Sequence, residues 1–268
     1  MQYQGKHVLI SGGSSGIGFS LAKLFTQEGA HVCLLARRQE LLLTAKAELD
    51  AIKPLASQNI SIIPADVGVF KSLQKSLEGK VESIDILINS AGIAYPGNFT
   101  DLDPDIFSEV MTVNFLGTVN LTKLILPGMI AKKSGYIVNI ASQAALIGIY
   151  GYTAYAPSKY AVRGFSRCLR SEVKAHGIDV SVVLPPDTDT PQLTFEHSII
   201  PSITRKINQS AGVMQPDKVA NIILQGIRRK AFTIIPGFEG KLLCLFAPLF
   251  GRYFYHLAVR EHRKLLVK

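Results

Sequence analysis

The fold is decided near the start of the chain by the stretch Lys6-His-Val-Leu-Ile-Ser-Gly-Gly-Ser-Ser-Gly-Ile-Gly18. Its apolar run is typical of a short buried strand, and that run stops at the glycine-rich turn after Ser11. A helical pattern follows at once, with Ile17 and Leu21 on one side and Gly29 as its end. The order strand, glycine turn, helix predicts the opening unit of an α/β domain.

The glycine turn has the features of a pyrophosphate-binding loop. Gly12, Gly16 and Gly18 carry no Cβ where a backbone must approach a pyrophosphate, and the following helix N-terminus offers unpaired N–H groups to it. A glycine turn without such flanks is more often a plain loop, and the spacing G-x-x-x-G-x-G differs from the commoner G-x-G-x-x-G. The flanking strand and helix therefore favour a dinucleotide site. The other predicted contacts in the loop are Ser14, Ser15 and Ile17.

The second predicted strand, residues 31–36, indicates which form of the dinucleotide is bound. A fold that selects NAD usually has an acidic residue at the end of this strand, whereas an arginine accommodates a 2′-phosphate. Ala36 is not acidic and Arg37 follows it. We therefore expect NADPH/NADP+ as the cofactor, with Arg37 in contact with it and Arg38 as an exposed helix start.

Strands and helices alternate along the rest of the chain, which predicts an α/β fold with a parallel, doubly wound sheet of the Rossmann type. The further predicted strands cover 60–64, 84–88, 135–141, 179–184 and 232–235, and the further helices cover 39–51, 104–131, 154–175 and 216–229. We expect one catalytic domain over residues 1–237 that includes a substrate lid over about 187–214, where the sequence pattern is too mixed to assign helix or strand. Residues 238–268 are a predicted C-terminal extension.

Several predicted strands bring small or polar residues to the carboxyl edge of the sheet, where ligands bind in open α/β sheets. Asp66 either caps the next helix or accepts a hydrogen bond from an adenine amine, and both interpretations stay open at this point. The small residues after the fourth strand would let a cofactor lie against the backbone. The predicted cofactor contacts at this edge are Asp66, Val67, Asn89, Ala91, Gly92, Pro185 and Thr188.

The stretch from Ser142 to Lys159 carries the candidate chemistry. If a helix covers Tyr155 to Lys159, a phenol and an ammonium share one helical face. We expect the positive charge of Lys159 to lower the Tyr155 pKa toward the range of an acid–base catalyst. Ser142 would donate a second hydrogen bond to the same substrate oxygen. Tyr-x-x-x-Lys alone is a weak signal, because a packed tyrosine and a solvated lysine give the same pattern; the glycine loop supplies the context.

These positions together resemble the short-chain dehydrogenase/reductase family over about residues 5–235. The resemblance implies NADPH-dependent reduction of a carbonyl group, in which Tyr155 protonates the oxygen and Ser142 holds it. It also implies that Lys159 binds the nicotinamide ribose, that Tyr155 contacts the cofactor, and that Asn114 maintains a water-linked proton relay. Ser90 and Pro186 depart from the family pattern without touching the proton donor. The matched positions are Gly12, Gly16, Gly18, Asp66, Asn89 to Gly92, Asn114, Ser142, Tyr155 and Lys159.

The segment Pro185-Pro-Asp-Thr-Asp-Thr-Pro191 narrows the expected substrate. It is unusual within the wider family and resembles the branch that reduces the 3-keto group of long-chain sphingoid bases. The resemblance implies a long-chain lipid ketone as substrate and a site that faces the cytosol at a membrane. A 3-ketoacyl thioester, a steroid or retinal is the alternative substrate. A non-enzymatic dinucleotide sensor is a third interpretation, although a sensor has no use for a tuned proton donor.

Composition limits the partners. The chain has 29 lysines and arginines against 20 aspartates and glutamates, a net charge of +9, but these are spread along it and no nucleic-acid module is recognisable. We expect no nucleic-acid binding; an anionic cofactor or membrane surface accounts better for the excess of positive charge.

The three cysteines suggest neither a metal site nor a disulfide framework. The first residues lack an apolar run, so we expect neither a signal peptide nor a membrane span there.

Residues 241–268 predict contact with a membrane surface. The run Leu242-Leu-Cys-Leu-Phe-Ala-Pro-Leu-Phe-Gly251 is apolar, but only about half as long as the ~20 residues a spanning helix needs. Aromatic and basic residues follow as far as Lys268, as in a segment that lies in a membrane interface. We therefore expect a peripheral membrane protein, at the endoplasmic reticulum in a eukaryote or in the cytoplasm and at the inner membrane in a bacterium. A subunit contact or a flap over the cleft are the alternatives, since the resemblance implies a homodimer or homotetramer.

Overall fold

The fold, seen in a computed structural model, is a parallel sheet flanked by helices. The structure describes residues 1–80, 84–208 and 212–266. In these ranges the strands are β1 His7–Ser11, β2 His31–Ala36, β3 Ile60–Pro64, β4 Ile86–Asn89, β5 Gly135–Ile140, β6 Ile178–Val183 and β7 Thr233–Ile234. The helices are α1 Gly16–Gln27, α2 Gln39–Ile52, α3 Phe70–Leu77, α4 Pro104–Met111, α5 Gly117–Lys132, α6 Tyr155–Val173, α7 Pro191–Ile199, α8 Ser202–Asn208, α9 Pro216–Arg228, α10 Phe238–Leu245 and α11 Ala247–Leu266.

The sheet is doubly wound, as predicted, with the strand order β3-β2-β1-β4-β5-β6-β7 and every pairing parallel. The order reverses between β1 and β4, and a crevice opens beyond the carboxyl ends of the strands at such a point. Ser11 fixes the floor of this crevice, because its Oγ accepts hydrogen bonds from the N–H groups of Ser90 and Ala91 at 3.1 Å each.

Two apolar layers hold the helices on the sheet. On one face, Phe25 of α1 and Ile223 of α9 are fully buried with Leu34 of β2. On the other face, Leu121 and Ile125 of α5 pack in the same cluster as the β5 and β6 side chains. Burial on both faces explains why the strands read as continuous apolar runs in the sequence.

The predicted helix over 104–131 contains a π-helical turn, Thr112–Leu116, between α4 and α5. Asn114 lies in this turn. A π-helical turn often lies at a functional site. The whole helix, Pro104–Lys132, has the length and apolarity of a membrane span, a property that its packing against the sheet explains.

The segment predicted as a substrate lid, about 187–214, had no helix or strand assigned from its sequence pattern, and its described part contains α7 and α8. Its role as a lid stays a prediction. Thr190 caps α7 by accepting a hydrogen bond from the Leu193 N–H at 3.3 Å, and Pro191 is the first helical residue. A threonine followed by a proline is a helix-start signal that the prediction did not use. Helix α3 was also not predicted, and residues 209–211 lie outside the described residues.

The C-terminal segment folds back onto the sheet. Leu243, Phe250 and Phe254 pack against an apolar cluster that includes Ile147 and Val182. Helices α10 and α11 together also have the length and apolarity of a broken membrane span, with a bend of 98° between Phe238–Leu245 and Leu249–Lys264. Lys268, which was included in the predicted basic end, lies outside the described residues.

An ionic cluster ties α11 to α8. Glu261 of α11 is only 8% exposed, and its carboxylate lies 3.2 Å from Lys206 of α8 and 2.6 Å from Lys264. The Tyr150 hydroxyl also lies 3.3 Å from Nδ1 of His262. The end of the chain is therefore held against the domain by polar contacts as well as apolar ones.

Candidate active site

A cavity of about 920 Å³ lies at the carboxyl edge of the sheet. Its walls come from the loops after β1 to β6, from α7, and from α10 and α11. Among the predicted site residues, Asn89 and Asn114 do not line it. The predicted residues that do line it are Gly12, Ser14, Ser15, Gly16, Ile17, Gly18, Arg37, Asp66, Val67, Ala91, Gly92, Ser142, Tyr155, Lys159, Pro185 and Thr188.

The structure brings the candidate catalytic side chains together. Tyr155 is the first residue of α6, and Lys159 lies one turn later on the same face. The Lys159 Nζ lies 5.6 Å from the centre of the Tyr155 ring and donates a hydrogen bond to the Ile140 carbonyl at 3.1 Å. The Ser142 side chain lies close enough to the Tyr155 hydroxyl to lower its pKa, and both side chains line the cavity. Since the Ser142 Oγ already accepts from the Ala144 N–H at 3.1 Å, its proton is available to a substrate oxygen.

Burial dominates the acid–base properties of these groups. Burial, followed by the negative charge of Glu196, raises the pKa of Tyr155, while contact with Ser142 lowers it. Burial also lowers the pKa of Lys159 to about 8, and Glu196 opposes that change. The predicted lowering of the Tyr155 pKa by Lys159 is therefore not found: the pKa is raised, chiefly by burial, and Lys159 is not among the groups that shift it most. A neutral phenol is nevertheless the form that donates a proton to a ketone.

Asn89 has a different environment from the predicted one. As the last residue of β4, it is directed into the protein, where its Nδ2 donates to the Asn139 Oδ1 at 2.8 Å and to the Thr122 Oγ1 at 3.2 Å. Side chains alternate along a strand, so the next residue, Ser90, faces the cavity in its place. The Asn89 side chain therefore links β4, β5 and α5, and contact of this residue with a cofactor stays a prediction.

Asn114 acts through the backbone of the neighbouring loop. Its Oδ1 accepts from the Ile93 N–H at 2.8 Å, and its Nδ2 donates to the Ile93 carbonyl and the Ser158 Oγ at 2.9 Å each. A Cβ on Gly92 would lie 3.2 Å from the Asn114 Oδ1 and 3.3 Å from the Lys159 Nζ. Asn114 is therefore a positioning residue for the loop in front of Lys159; its part in a proton relay stays a prediction.

The glycine loop fits a dinucleotide and also needs its glycines for its own packing. Gly12 has a φ of +65°, and a Cβ there would lie 2.8 Å from the Ala91 N. A Cβ on Gly18 would lie 2.4 Å from the Gly12 carbonyl oxygen. Ser15 at the N-cap of α1 makes no side-chain capping bond to any described residue. The first N–H groups of α1 are therefore left to interact with an anionic ligand at the cavity wall.

Arg37 and Asp66 meet at the adenosine end expected for such a ligand. An Arg37 Nη1 lies 3.9 Å from the Asp66 Oδ2. The Asp66 Oδ1 accepts from the Gly68 N–H at 2.8 Å, so Asp66 closes a turn instead of capping α3, whose N-cap is Val69. Arg38, predicted as an exposed helix start, is the N-cap residue of α2 and also lines the cavity. The two arginines give this end a positive charge.

Most of the residues in the opposite half of the cavity were not predicted as site residues from the sequence. Its acidic and amide groups come from Asp187, Gln192 and Glu196, beside Tyr152. The available signals were the three acidic residues of segment 187–214, which are Asp187, Asp189 and Glu196, and an apolar C-terminal run too short for a membrane span. The C-terminal residues in this wall are Glu239, Leu242, Leu243, Phe250 and Phe254.

Comparisons with known proteins agree with this arrangement. The family model described as short chain dehydrogenase matches residues 6–198. The 3-dehydrosphinganine reductase of Danio rerio is 37% identical over 247 residues, which cover 91% of this chain and 74% of the relative. The 3-ketodihydrosphingosine reductase of Bos taurus is 35% identical over 253 residues, which cover 91% of this chain and 76% of the relative.

A similar solved structure is the short-chain dehydrogenase from Sphingobium yanoikuyae in complex with NADPH. It is 26% identical, with a TM-score of 0.78, and the match covers 92% of this chain and 95% of that one. The matched segment of the family model contains the glycine loop and the whole of the Ser142 to Lys159 stretch. A match of this extent, on a chain that folds these motifs into one cavity, shows that the chain belongs to the short-chain dehydrogenase family.

Proposed function

We propose that this protein reduces the 3-keto group of a long-chain sphingoid base, converting 3-ketodihydrosphingosine to dihydrosphingosine with NADPH. Family membership makes the chain an oxidoreductase that uses a nicotinamide dinucleotide. The names of the relatives from Danio rerio and Bos taurus support the choice of substrate. One observation carries the proposal. Ser142 and Tyr155 lie near each other in one cavity, between a half lined by the glycine loop and an apolar half.

Tyr155 is the proposed proton donor. Burial keeps its phenol neutral, so it can protonate the carbonyl oxygen while Ser142 donates a second hydrogen bond to the charge that develops there. NADPH, when bound, supplies the hydride to the carbonyl carbon. Lys159, which is 5% exposed and lies beside the Tyr155 ring, favours the tyrosinate that remains after the proton has left.

The apolar half of the cavity supports a long-chain substrate. Leu242, Leu243, Phe250 and Phe254 of the C-terminal helices line it together with Ile147. Apolar walls of this kind favour an alkyl chain because its burial removes apolar surface from water. A steroid, retinal or a 3-ketoacyl thioester also has apolar surface, so these compounds are the competing substrates in the test below.

The proposed preference for NADPH rests on charge. Arg37 and Arg38 line the cavity beyond the glycine loop, and Ala36 at the end of β2 offers no carboxylate to a ribose 2′-hydroxyl. A 2′-phosphate would meet two positive charges there, whereas a 2′-hydroxyl would lack its usual acidic partner.

The test is a reaction of the purified protein with NADPH and 3-ketodihydrosphingosine, followed by mass spectrometry. We expect dihydrosphingosine to form with stoichiometric oxidation of NADPH, and to form more slowly with NADH. Parallel reactions contain a long-chain 3-ketoacyl thioester, a steroid ketone or retinal. Faster turnover of one of these compounds would contradict the proposed substrate but not the family.

The proposed location is the cytosolic surface of a membrane, at the endoplasmic reticulum in a eukaryote. Support comes from the exposed apolar side chains of α10 and α11: Phe238 and Leu245 are 72% and 71% exposed, and Leu249 and Tyr253 are 65% and 60% exposed. The same helices wall the apolar half of the cavity, so a lipid substrate would have a short path from the bilayer. Assembly into a homodimer or homotetramer stays a prediction.

A further inference from the structure

A buried carboxylate lies in the cavity wall next to the catalytic residues. Glu196, on α7, is 7% exposed and lines the cavity. A carboxylate is costly to bury unless a hydrogen-bond donor or a cation accompanies it. The steps proposed so far use only Ser142, Tyr155 and Lys159, so Glu196 has no part in them.

Two neutral side chains fix the orientation of this carboxylate. The Tyr152 hydroxyl donates to Oε2 at 2.9 Å, and the Gln192 amide donates to Oε1 at 3.0 Å. Within residues 1–80, 84–208 and 212–266, no lysine or arginine lies within ion-pair distance of Glu196. Both oxygens are therefore positioned, but the negative charge has no direct cationic partner there.

The other charged groups around Glu196 do not supply that partner. Asp187, in the loop after β6, adds a second negative charge and raises the pKa of Glu196, although burial is the larger cause. His197 on the same helix opposes this rise. Lys159 feels the charge of Glu196 but donates its hydrogen bond to the Ile140 carbonyl. This half of the cavity is therefore suited to a ligand that brings its own positive charge.

Gln192 places the carboxylate close to the reacting oxygen. Its amide donates to the Glu196 carboxylate and lies close enough to Tyr155 to lower the pKa of that phenol, and the ring centres of Tyr152 and Tyr155 are 5.8 Å apart. Tyr155 marks the position of the substrate carbonyl oxygen. A group that reaches Glu196 from there must therefore be attached near the carbonyl carbon.

We propose that Glu196, held by Tyr152 and Gln192, binds a protonated primary amine on the carbon next to the substrate carbonyl. A primary ammonium has three N–H donors, which suits it to a carboxylate and a neighbouring phenol oxygen. This inference rests on the proposed reductase function and names the contact that selects a 2-amino ketone. Thioesters, steroids and retinal have no such amine and would leave the carboxylate unpaired.

The test compares three long-chain ketones with NADPH: 3-ketodihydrosphingosine, its N-acetyl derivative and the 2-desamino ketone of equal length. The wild-type protein should prefer the free amine. Glu196→Gln, which keeps the shape of the side chain, should lower kcat/KM for the amine by about 10- to 100-fold, the range expected for loss of a charged hydrogen bond. At a pH well below the Lys159 pKa of about 8, the value for the desamino ketone should change less than about threefold, since that compound makes no such bond.

Two further variants keep the result interpretable. Tyr152→Phe removes one donor to Glu196 and should weaken the amine preference by a smaller factor. Asp189→Asn neutralises an exposed carboxylate of the same segment that accepts from the Gln215 amide at 3.1 Å and should leave all three values unchanged. NADPH binding and thermal unfolding of each variant report whether it is folded.

The outcomes separate the two proposals. If the wild-type protein reduces the N-acetyl ketone as well as the amine, or if Glu196→Gln lowers both the amine and desamino values equally, the amine site is wrong and the reductase function stands. If the wild-type protein reduces none of the three ketones, the proposed function itself fails and the amine site fails with it.

Discussion

Tyr155 is the single side chain on which the proposed proton transfer depends. Ser142 and Gln192 lie near its hydroxyl and lower its pKa against the larger effect of burial, while its ring packs beside Tyr152. We expect Tyr155→Phe to lower kcat by about 10²- to 10⁴-fold, the usual contribution of a general acid. NADPH affinity, measured by fluorescence titration, should change little because the ring remains. A variant with near wild-type turnover would overturn the assignment of the proton donor.

We expect the reduction rate to fall at alkaline pH because Lys159 loses its positive charge there. Burial lowers its pKa to about 8, so the side chain is an ammonium below that pH and neutral above it. At saturating NADPH, kcat/KM for the ketone should therefore fall as the pH rises through about 8. Because Glu196 raises the Lys159 pKa, Glu196→Gln should move this fall to a lower pH. A profile that stays flat up to the ordinary lysine pKa of about 10.4 would contradict the prediction.

We expect Arg37 to determine whether the protein binds NADPH more tightly than NADH. Its side chain is 55% exposed and lies 3.9 Å from an Asp66 oxygen, so it can contact a ligand without disturbing the core. We expect Arg37→Ala to raise the Kd for NADPH by about tenfold, the value of a charge-assisted hydrogen bond, and to leave the Kd for NADH nearly unchanged. Arg37→Lys is the control that keeps the charge. Equal weakening of both cofactors would argue against contact with a 2′-phosphate.

Among the secondary-structure elements, the π-helical turn between α4 and α5 has the clearest consequence for the site. Its Asn114 forms the two hydrogen bonds with the Ile93 backbone that hold the loop in front of Lys159. Asn114→Ala would leave both backbone groups unpaired, at a cost of about 2 kcal/mol in the free energy of unfolding. For a chain of this size that corresponds to about 4–8 °C in Tm, and turnover should fall as well.

The matched control for this prediction is Asn221→Ala. The Asn221 amide donates to the Asp217 carbonyl within α9 at 2.8 Å and is exposed, so its loss should change the free energy of unfolding by less than about 0.5 kcal/mol. Calorimetric Tm values and kcat/KM for both variants supply the comparison. Equal effects would show that Asn114 has no special structural role.

The strands and helices of the sheet domain were predicted more accurately than the helices of the lid and the C-terminal segment. The predicted strand 60–64 and helix 216–229 match β3 and α9 to within one residue, because each has an apolar pattern of the right period. In the lid, only Leu193 and Glu196 of α7 are buried, so its periodic signal is weak. Helix α11 turns an apolar face toward the cavity, and the position of the cavity cannot be read from the sequence.

For the whole molecule, the arrangement of the C-terminal segment determines how membrane contact can be tested. Deleting residues 241–268 would remove Leu243, Phe250 and Phe254 from an apolar cluster of the domain, so a loss of function would be uninformative. Substitution of exposed side chains avoids this problem. We expect a Leu245→Ser, Leu249→Ser, Tyr253→Ser variant to bind vesicles of anionic phospholipid at least about tenfold more weakly than the wild type.

The control variant for membrane binding is Leu43→Ser with Phe99→Ser, which removes exposed apolar side chains, 50% and 68% accessible, from outside the C-terminal segment. Cosedimentation with vesicles at low and high salt measures binding, and NADPH oxidation with a detergent-dispersed ketone reports whether each variant is folded. Wild-type protein that ignores the vesicles, or equal losses in both variants, would contradict the membrane proposal.

The sequence by itself determined the doubly wound order of elements, the glycine loop and the set Ser142, Tyr155 and Lys159. These features depend on local apolar period and on spacing between near neighbours, which a linear pattern retains. Only the tertiary structure decided that the Asn89 side chain faces inward, that burial governs the Tyr155 pKa, and that α10 and α11 line the half of the cavity opposite the glycine loop.

Contacts between distant residues account for that difference. Tyr152 meets Glu196 and Lys206 meets Glu261 only after the chain has folded back on itself. The dielectric surroundings of a side chain likewise depend on everything packed around it, whatever its neighbours in sequence.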